Sequence, residues 1–367
     1  MDNPPVQRSA QRRSFATLDG LRGVAAATIV IYHFPALWAP WTAPSAYLAV
    51  DLFFLMSGFI IEHAYGERLA AGLGPGRFML GRVVRLYPLY LIGTAITAVA
   101  IAAAVLSHEP GLKWTGWSLA RSVGWSALML PTPAVPPLTS LYPLNVPAWS
   151  LLYELLVNLL FAATYRWWTR GRLAAVIAIA ALGLCCTCWA AGDLNAGSDH
   201  GALPALAAVS RVVFSFFLGV LAYRRGWGAE APARWAPPAP LLLAATLLLL
   251  AASVPSWLRP WYDLLVVLAV FPALLAAAVA VEPQAGRRVY AWLGVASYAV
   301  YVVHEPLLRS LLRVDEVVFG GAVERWAPVS GIAALVVVFL LAAGLDRIYD
   351  LPVRRFLARR LSLSGRR

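Results

Sequence analysis

The sequence predicts an all-α fold, a polytopic membrane helix bundle of about ten transmembrane helices. Both termini are expected in the cytoplasm, with one half-inserted segment near 118–130. Three observations predict this. Of 367 residues, 60% are hydrophobic and 13% charged, where a soluble domain carries about 25% charged residues. Apolar runs of membrane-spanning length recur along the whole chain. The arginines gather in the short loops between alternate runs, as the positive-inside rule requires.

Taken in order, the runs lie near 21–39, 46–65, 86–106, 147–165, 173–191, 204–223, 240–256, 261–281, 290–308 and 328–346. The stretch 118–130 is short for a crossing and contains Arg121. Loop charge decides its status. With Arg8, Arg12 and Arg13 inside, the loop 66–85 is inside too and holds Arg68, Arg77, Arg82 and Arg85. If 118–130 does not cross, three more basic loops follow on the same side: Arg166, Arg170 and Arg172; Arg224, Arg225 and Arg234; Arg287 and Arg288. The tail, with Arg354, Arg355, Arg359 and Arg360, joins them. An extra crossing would throw these arginines outside. The segment 107–146 is then an outer excursion, and the outer loop after the ninth run carries Arg309, Arg313, Asp315, Glu316, Glu324 and Arg325 as a mixed polar surface. The Pro-rich stretch 230–240 is a simple linker.

The basic start followed by a long apolar run resembles a signal-anchor that stays in place. Three segments result: a cytoplasmic tail 1–20, a transmembrane domain 21–350 and a basic cytoplasmic tail 351–367. No separate soluble catalytic unit is expected. A net charge of +12 could point to nucleic acid, but it rests almost wholly on arginine, Lys113 being the one lysine. Membrane topology accounts for where those charges sit, and fifteen Trp with fourteen Tyr suit two interfacial belts. Cys185, Cys186 and Cys188 cluster in one apolar run without a His or acidic neighbour, so no metal site is expected.

Ionisable side chains inside the runs are costly in hydrocarbon and mark functional sites facing the bundle interior. The first run, Leu21 to Trp38, carries Arg22 and His33. Eleven residues at 100° each come within about 20° of three full turns, so the two share one face, roughly 16 Å apart along the axis. The expectation is a cation at the inner surface and an imidazole near mid-depth. The second run holds Asp51, Glu62 and His63. Asp51 and Glu62 are again eleven apart, with Leu55 and Gly58 between them on that stripe. Asp51 enters near the depth of His33, where it either orients the imidazole or makes a structural hydrogen bond. Gly58 with Ser57 lets helices approach closely.

Arg82 and Arg85 lie one turn apart at the inner border. They serve either as topological anchors or, with Arg22, as a clamp holding pyrophosphate by charge-assisted bonds. In the fourth run Glu154 has Trp149 and Ser150 above it and Asn158 one turn below. It is a proton carrier, a hydroxyl-binding group or the partner of Arg211. In the ninth run Tyr298, Tyr301, His304 and Glu305 form a partly polar face, which lines an acceptor cavity or belongs to an interfacial belt. Asp263, at the outer end of the eighth run, reads as solvated.

Together these residues resemble the membrane acyltransferase family 3. L-D-G-L-R-G followed by the Arg22–His33 spacing is similar to its R-x10-H signature. F-F-L-M-S-G-F (53–59), R-V-V-R-L-Y-P (82–88), W-S-L-L-Y-E (149–154) and G-V-A-S-Y-A-V-Y-V-V-H (294–304) follow in the family's order. The resemblance spans about 15 to 350 and implies a bacterial multi-pass O-acyltransferase of the cytoplasmic (inner) membrane, without the appended esterase-like domain of some members. It implies acyl groups, often acetyl, taken from cytoplasmic acyl-CoA. Acceptors would be hydroxyls of surface polysaccharide, glycan or glycosylated metabolites. By motif, His33 would be the catalytic histidine and Arg22, Arg82 and Arg85 the donor-side arginines; Glu154 and Tyr298 are motif residues as well.

The resulting expectation has His33 as base or nucleophile, supported by Asp51 and Glu154. Trp149, Ser150, Tyr298, Tyr301 and His304 would be on the substrate, with acyl-CoA as co-substrate and no permanently bound cofactor. Its partners are that donor, a carbohydrate or glycoside acceptor and the lipid bilayer, with no nucleic acid and a homodimer left open. The alternative from another class is a proton-coupled transporter using the same midplane His, Glu and Arg groups.

Overall fold

A proline ends the first helix. The computed structural model describes residues 15–109, 111–134, 138–228 and 237–361, and in it α1 runs Ala16–His33. Phe34 leaves the helical region at φ −132°, ψ 56° because the ring of Pro35 disfavours α geometry in the residue before it. A 3₁₀ turn, Pro35–Trp38, follows. The helix also starts earlier than the expected 21, which moves Arg22 into its second turn and puts His33 at its C-terminus. The imidazole therefore sits at a helix end rather than inside an unbroken run. The N-terminal arginines Arg8, Arg12 and Arg13, Arg234 with most of the 230–240 linker, and 362–367 lie outside the described residues.

A helix covers most of every expected run. They are α2 (Ala49–Ala70), α3 (Pro75–Leu106), α5 (Ala148–Ala163), α6 (Arg170–Ala191), α7 (Ala202–Arg224) and α8 (Ala239–Ala251). Then come α9 (Arg259–Leu265) and α10 (Phe271–Ala280), joined by a π turn, followed by α11 (Arg287–Phe319) and α12 (Val329–Leu345). A second π turn, Asp346–Asp350, leads from α12 into α13 (Leu351–Arg360). Among the described residues there is no strand, only an isolated bridge between Ser140 and Asp199. Among the described residues, six helical stretches are long and apolar enough to cross a membrane: Ala46–Ala70, Pro75–Leu106, Arg170–Ala191, Ala202–Arg224, Arg259–Ala280 and Val329–Arg360. The remaining expected crossings, α1, α5, α8 and α11, are shorter or carry more polar groups.

The ambiguous stretch 118–130 is α4 (Gly116–Ala127), capped by a reciprocal Thr115–Ser118 box. Its twelve residues rise about 18 Å, well short of a bilayer core. The hydroxyls of Tyr87 and Tyr90, midway along α3, donate to the carbonyls at its C-terminal end, Ala127 and Ser126. The segment packs beside α3 and is too short to cross.

Two parallel helix pairs form the centre. The α2–α7 pair explains the stripe on α2. A Cβ on Gly58 would lie 1.9 Å from the Phe216 carbonyl oxygen, and one on Gly219 would lie 2.1 Å from that of Leu55. Backbone meets backbone there, which only glycine permits. On either side of this contact an acid on α2 meets an arginine on α7. Asp51 accepts from Nε and Nη2 of Arg211, the latter at 2.6 Å, and Glu62 accepts from Nε of Arg224 at 2.7 Å. The α1–α11 pair packs likewise through Gly20, Gly23 and Gly294, against Tyr290, Leu293 and Asp19.

Two expectations about polar groups are corrected. The outer loop after the ninth run is helix as far as Phe319, because its charges sit at helical spacing: Arg309 pairs with Glu305 and Arg313 with Glu316. Asp263 is fully buried, accepting from the Tyr47 hydroxyl at 2.6 Å and the Leu194 amide at 2.9 Å. The tail beyond 350 includes α13, packed back onto α3. The three cysteines are free, and no metal-binding cluster occurs among the described residues.

Candidate active site

The parallel run of α1 and α11 brings His33 to His304. Nδ1 of His33 lies 2.8 Å from Nε2 of His304, and Nδ1 of His304 lies 2.9 Å from the Val300 carbonyl. A carbonyl only accepts, so Nδ1 of His304 carries the proton and its Nε2 is the lone pair. Nδ1 of His33 is then the donor, and its Nε2 keeps a free lone pair. The two rings lie 24° from parallel with centroids 5.0 Å apart. His304 is fully buried and lines none of the three chambers described below. The expected substrate contact is therefore corrected: His304 stands behind His33 and fixes its tautomer.

The backbone around His304 is held from outside the helix. Pro306 has no amide to give the Val302 carbonyl, and Nδ2 of Asn145 donates to that oxygen instead, at 3.1 Å. Two residues further on, Pro147 O accepts from both Ser150 Oγ (3.0 Å) and Tyr301 OH (3.2 Å), which also contact each other at 2.7 Å. The segment before α5 is thereby tied to α11 at the level of the histidines. Asn145 was absent from the sequence-based site, although a proline inside a helix signals a carbonyl in need of a donor.

Asp51 does not reach His33. It is wholly buried in its pair with Arg211, which also donates to the carbonyls of Ala196 and Tyr47. The carboxylate expected to orient the imidazole serves the α2–α7 contact. Glu154 in turn does not pair with Arg211. Its carboxylate accepts from Ser57 Oγ, from Nη2 of Arg82 at 3.2 Å and from Nδ2 of Asn158 at 2.9 Å.

Three chambers follow one another along this core. An inner cavity of about 330 Å³ is lined by Arg22, Arg82 and Arg85 with Ser57, Glu154 and Tyr298, and otherwise mainly by apolar side chains such as Phe53, Met56 and Leu151. All three predicted donor-side arginines meet there. Arg85 lies 5.8 Å from the Tyr298 ring centroid, and the Tyr298 hydroxyl donates to the Leu86 carbonyl. Nε of Arg82 is buried with no protein partner among the described residues, an unmet donor that an anionic ligand would satisfy. An outer chamber of about 260 Å³ is lined by His33, Tyr32, Tyr47, Trp149, Asn195 and Asp199, among others. Val50 and Tyr301 line both. Trp149 faces the outer chamber, with the Arg211 guanidinium 5.4 Å from its ring, while Ser150 and Tyr298 face the inner one. A third cavity, of about 510 Å³, opens beyond Arg82 and Arg85 at the arginine-rich end.

Comparison with known proteins agrees with this architecture. A family model described as an acyltransferase domain, number 3 of its kind, matches residues 15–345. The chain is similar to "Protein 2 in picA locus" of Rhizobium radiobacter, with 39% identity over 181 residues that make up 46% of this chain and 90% of that protein. No solved structure gives a significant match. A match across nearly the whole helical bundle shows that the chain belongs to acyltransferase family 3 and is a membrane acyltransferase.

Proposed function

We propose that the protein crosses the bacterial inner membrane ten times, with both termini cytoplasmic. There it transfers a short acyl group, acetyl by preference, from cytoplasmic acyl-CoA to a carbohydrate hydroxyl. The observation that carries this proposal is that His33 lines a polar chamber sharing Val50 and Tyr301 with the cavity of Arg22, Arg82 and Arg85. Donor and acceptor would approach from opposite ends and meet at that partition. The guanidiniums supply charge-assisted bonds to phosphate. The roughly 16 Å axial rise from Arg22 to His33 suits an extended pantetheine arm, and the apolar walls between them suit its alkyl parts. Tyr32, Tyr47 and Trp149 offer ring faces and Asn195 and Asp199 polar edges, a combination fitted to a sugar.

His33, with Nε2 free and Nδ1 donating to His304, acts as general base. It takes the proton of the acceptor hydroxyl as that oxygen attacks the thioester carbonyl. The new C–O bond forms, the C–S bond breaks, and the proton passes from His33 to the leaving thiolate. His33 lines the acceptor side rather than the donor cavity, which favours direct transfer over an acyl-imidazole. Glu154, held by Ser57, Arg82 and Asn158, fixes Arg82 against the donor.

Labelled acetyl-CoA supplied to inside-out vesicles tests this. Label should move to a carbohydrate product, and His33→Ala should lower the rate by about 10²–10⁴-fold. Equal transfer by wild type and variant removes His33 from the chemistry. Solute movement without thioester loss would mean a transporter.

A further inference from the structure

A fourth cavity, of about 770 Å³, lies apart from that line, where the ends of α2 and α5, the start of α3 and the first half of α6 gather against α7. One end of it is polar and cationic. Arg166 and Trp168, from the turn after α5, are in its wall together with Gly74 and Pro75 at the start of α3, and no carboxylate is among its lining residues. Trp168 is only 6% exposed, yet its Nε1 is buried without a partner among the described residues. The indole is pinned: it packs on Phe217 with ring centroids 4.3 Å apart, while Arg224 donates to its backbone carbonyl. Gly74 caps α3 without a side chain, so the positive end of a 32-residue helix adjoins the same space. An indole N–H, a guanidinium and a helix N-terminus in one wall are a donor set for an anion.

The rest of the wall is apolar and runs about one leaflet deep. Leu160, Val176, Val213 and Phe217 belong to it, and Val213 stands eleven residues before Arg224 on α7, roughly 16 Å further from the arginine-rich end. That is about half of a 30 Å hydrocarbon core. Beside it on α5, Leu156, Leu159 and Leu160 are exposed, as side chains facing lipid are. We infer that this cavity holds one anionic phospholipid of the leaflet at the arginine-rich end. Its phosphate meets Arg166, Trp168 and the start of α3, and one acyl chain lies along Val176, Val213 and Phe217. Basic pockets between transmembrane helices take such headgroups. A free phosphate would satisfy the donors but leave the apolar wall against water, so the fitting occupant is an amphiphile. The inference needs only the membrane bundle and does not rest on the transferase reading.

The full-length protein is purified in dodecyl maltoside, and its thermal unfolding is followed with phosphatidylglycerol, phosphatidylcholine or inorganic phosphate added. Native mass spectrometry counts the lipid retained. Wild type should gain several degrees with phosphatidylglycerol and little with the other two, and should carry phosphatidylglycerol into the spectrometer. Trp168→Phe keeps a ring and removes the unmet donor, and Arg166→Gln removes the charge from an exposed side chain. The double variant should need at least about tenfold more phosphatidylglycerol for the same gain, the worth of one hydrogen bond to a charged group. If replacing the indole lowers the yield, Arg166→Gln alone should still show weakened retention. Arg225→Gln, exposed at the same end but outside the cavity, should behave as wild type. Equal dependence on phosphatidylglycerol in variant and wild type overturns the inference. So does an equal gain from phosphatidylcholine, which would make the cleft an unselective lipid contact. A gain from inorganic phosphate that matches phosphatidylglycerol and is lost in the variant assigns the donors to a soluble anion, and it overturns the lipid.

Discussion

Nδ1 of His33 donates to Nε2 of His304 across 2.8 Å, and His304 in turn donates to the Val300 carbonyl at 2.9 Å. This short relay leaves Nε2 of His33 unprotonated whenever both rings are neutral. It predicts that His304→Ala lowers kcat by about 10²-fold or more, because a base held in the wrong tautomer is a poor base. His304→Gln can still accept from His33 through its amide oxygen and should recover part of the loss. Steady-state kinetics of the three proteins decide it. Equal rates for His304→Ala and wild type would remove the relay from catalysis.

The Asp51–Arg211 pair predicts a stability effect rather than a chemical one. Both side chains are buried, and removing one partner of a buried ion pair costs about 3–5 kcal/mol. Asp51→Ala should therefore unfold at markedly lower temperature in detergent, followed by fluorescence-detected size exclusion. A paired replacement by apolar residues, Asp51→Leu with Arg211→Met, should restore much of that loss. If Asp51→Ala is as stable as wild type yet inactive, the carboxylate has a catalytic role that this geometry does not give it.

The α2 stripe shows what could be read from sequence and what could not. Periodicity alone puts Asp51, Leu55, Gly58 and Glu62 on one face, and that face is the α7 contact. The partner is not legible, because helices apolar on every side carry no polar seam to say which neighbour each face meets. Sequence therefore offers Arg211 to Glu154, when Asp51 is the group it binds. The histidine tautomer depends on a contact between residues 271 positions apart, beyond any local pattern. The helical run past His304 is readable in principle, since Glu305/Arg309 and Arg313/Glu316 stand at i,i+4 and i,i+3. An apolar-length criterion for crossings truncates such a helix where its charges begin.

Gly58 and Gly219 should be intolerant of any side chain. A Cβ at either position would fall about 2 Å from a backbone oxygen of the facing helix, and backbone cannot step aside as a side chain can. Gly58→Ala is expected to cost about 1–3 kcal/mol and to separate α2 from α7. The double variant with Gly219→Ala should cost less than the sum of the two, since one shift relieves both clashes. Thermal unfolding of the two single variants and the double variant measures this coupling.

Changes in the outer chamber should register on the acceptor and leave the donor alone. Trp149, Tyr32 and Asn195 line the space in front of His33, and Nδ2 of Asn195 donates to the Tyr32 hydroxyl at 2.8 Å, fixing both. Trp149→Ala removes a ring face against which an apolar sugar face can stack, and Asn195→Ala frees the tyrosine. Each is expected to raise KM for the acceptor several-fold, since a stacked ring or a hydrogen bond to a sugar is worth about 1–2 kcal/mol. KM for the acyl donor should not move, because none of the three lines the arginine-walled cavity. Trp149 also stacks near Arg211, so Trp149→Phe serves as the control that keeps a ring beside the guanidinium. Bisubstrate kinetics, with each substrate varied in turn, separate the two effects. A rise in donor KM equal to that for the acceptor would mean that donor and acceptor share this chamber instead of meeting across Val50 and Tyr301.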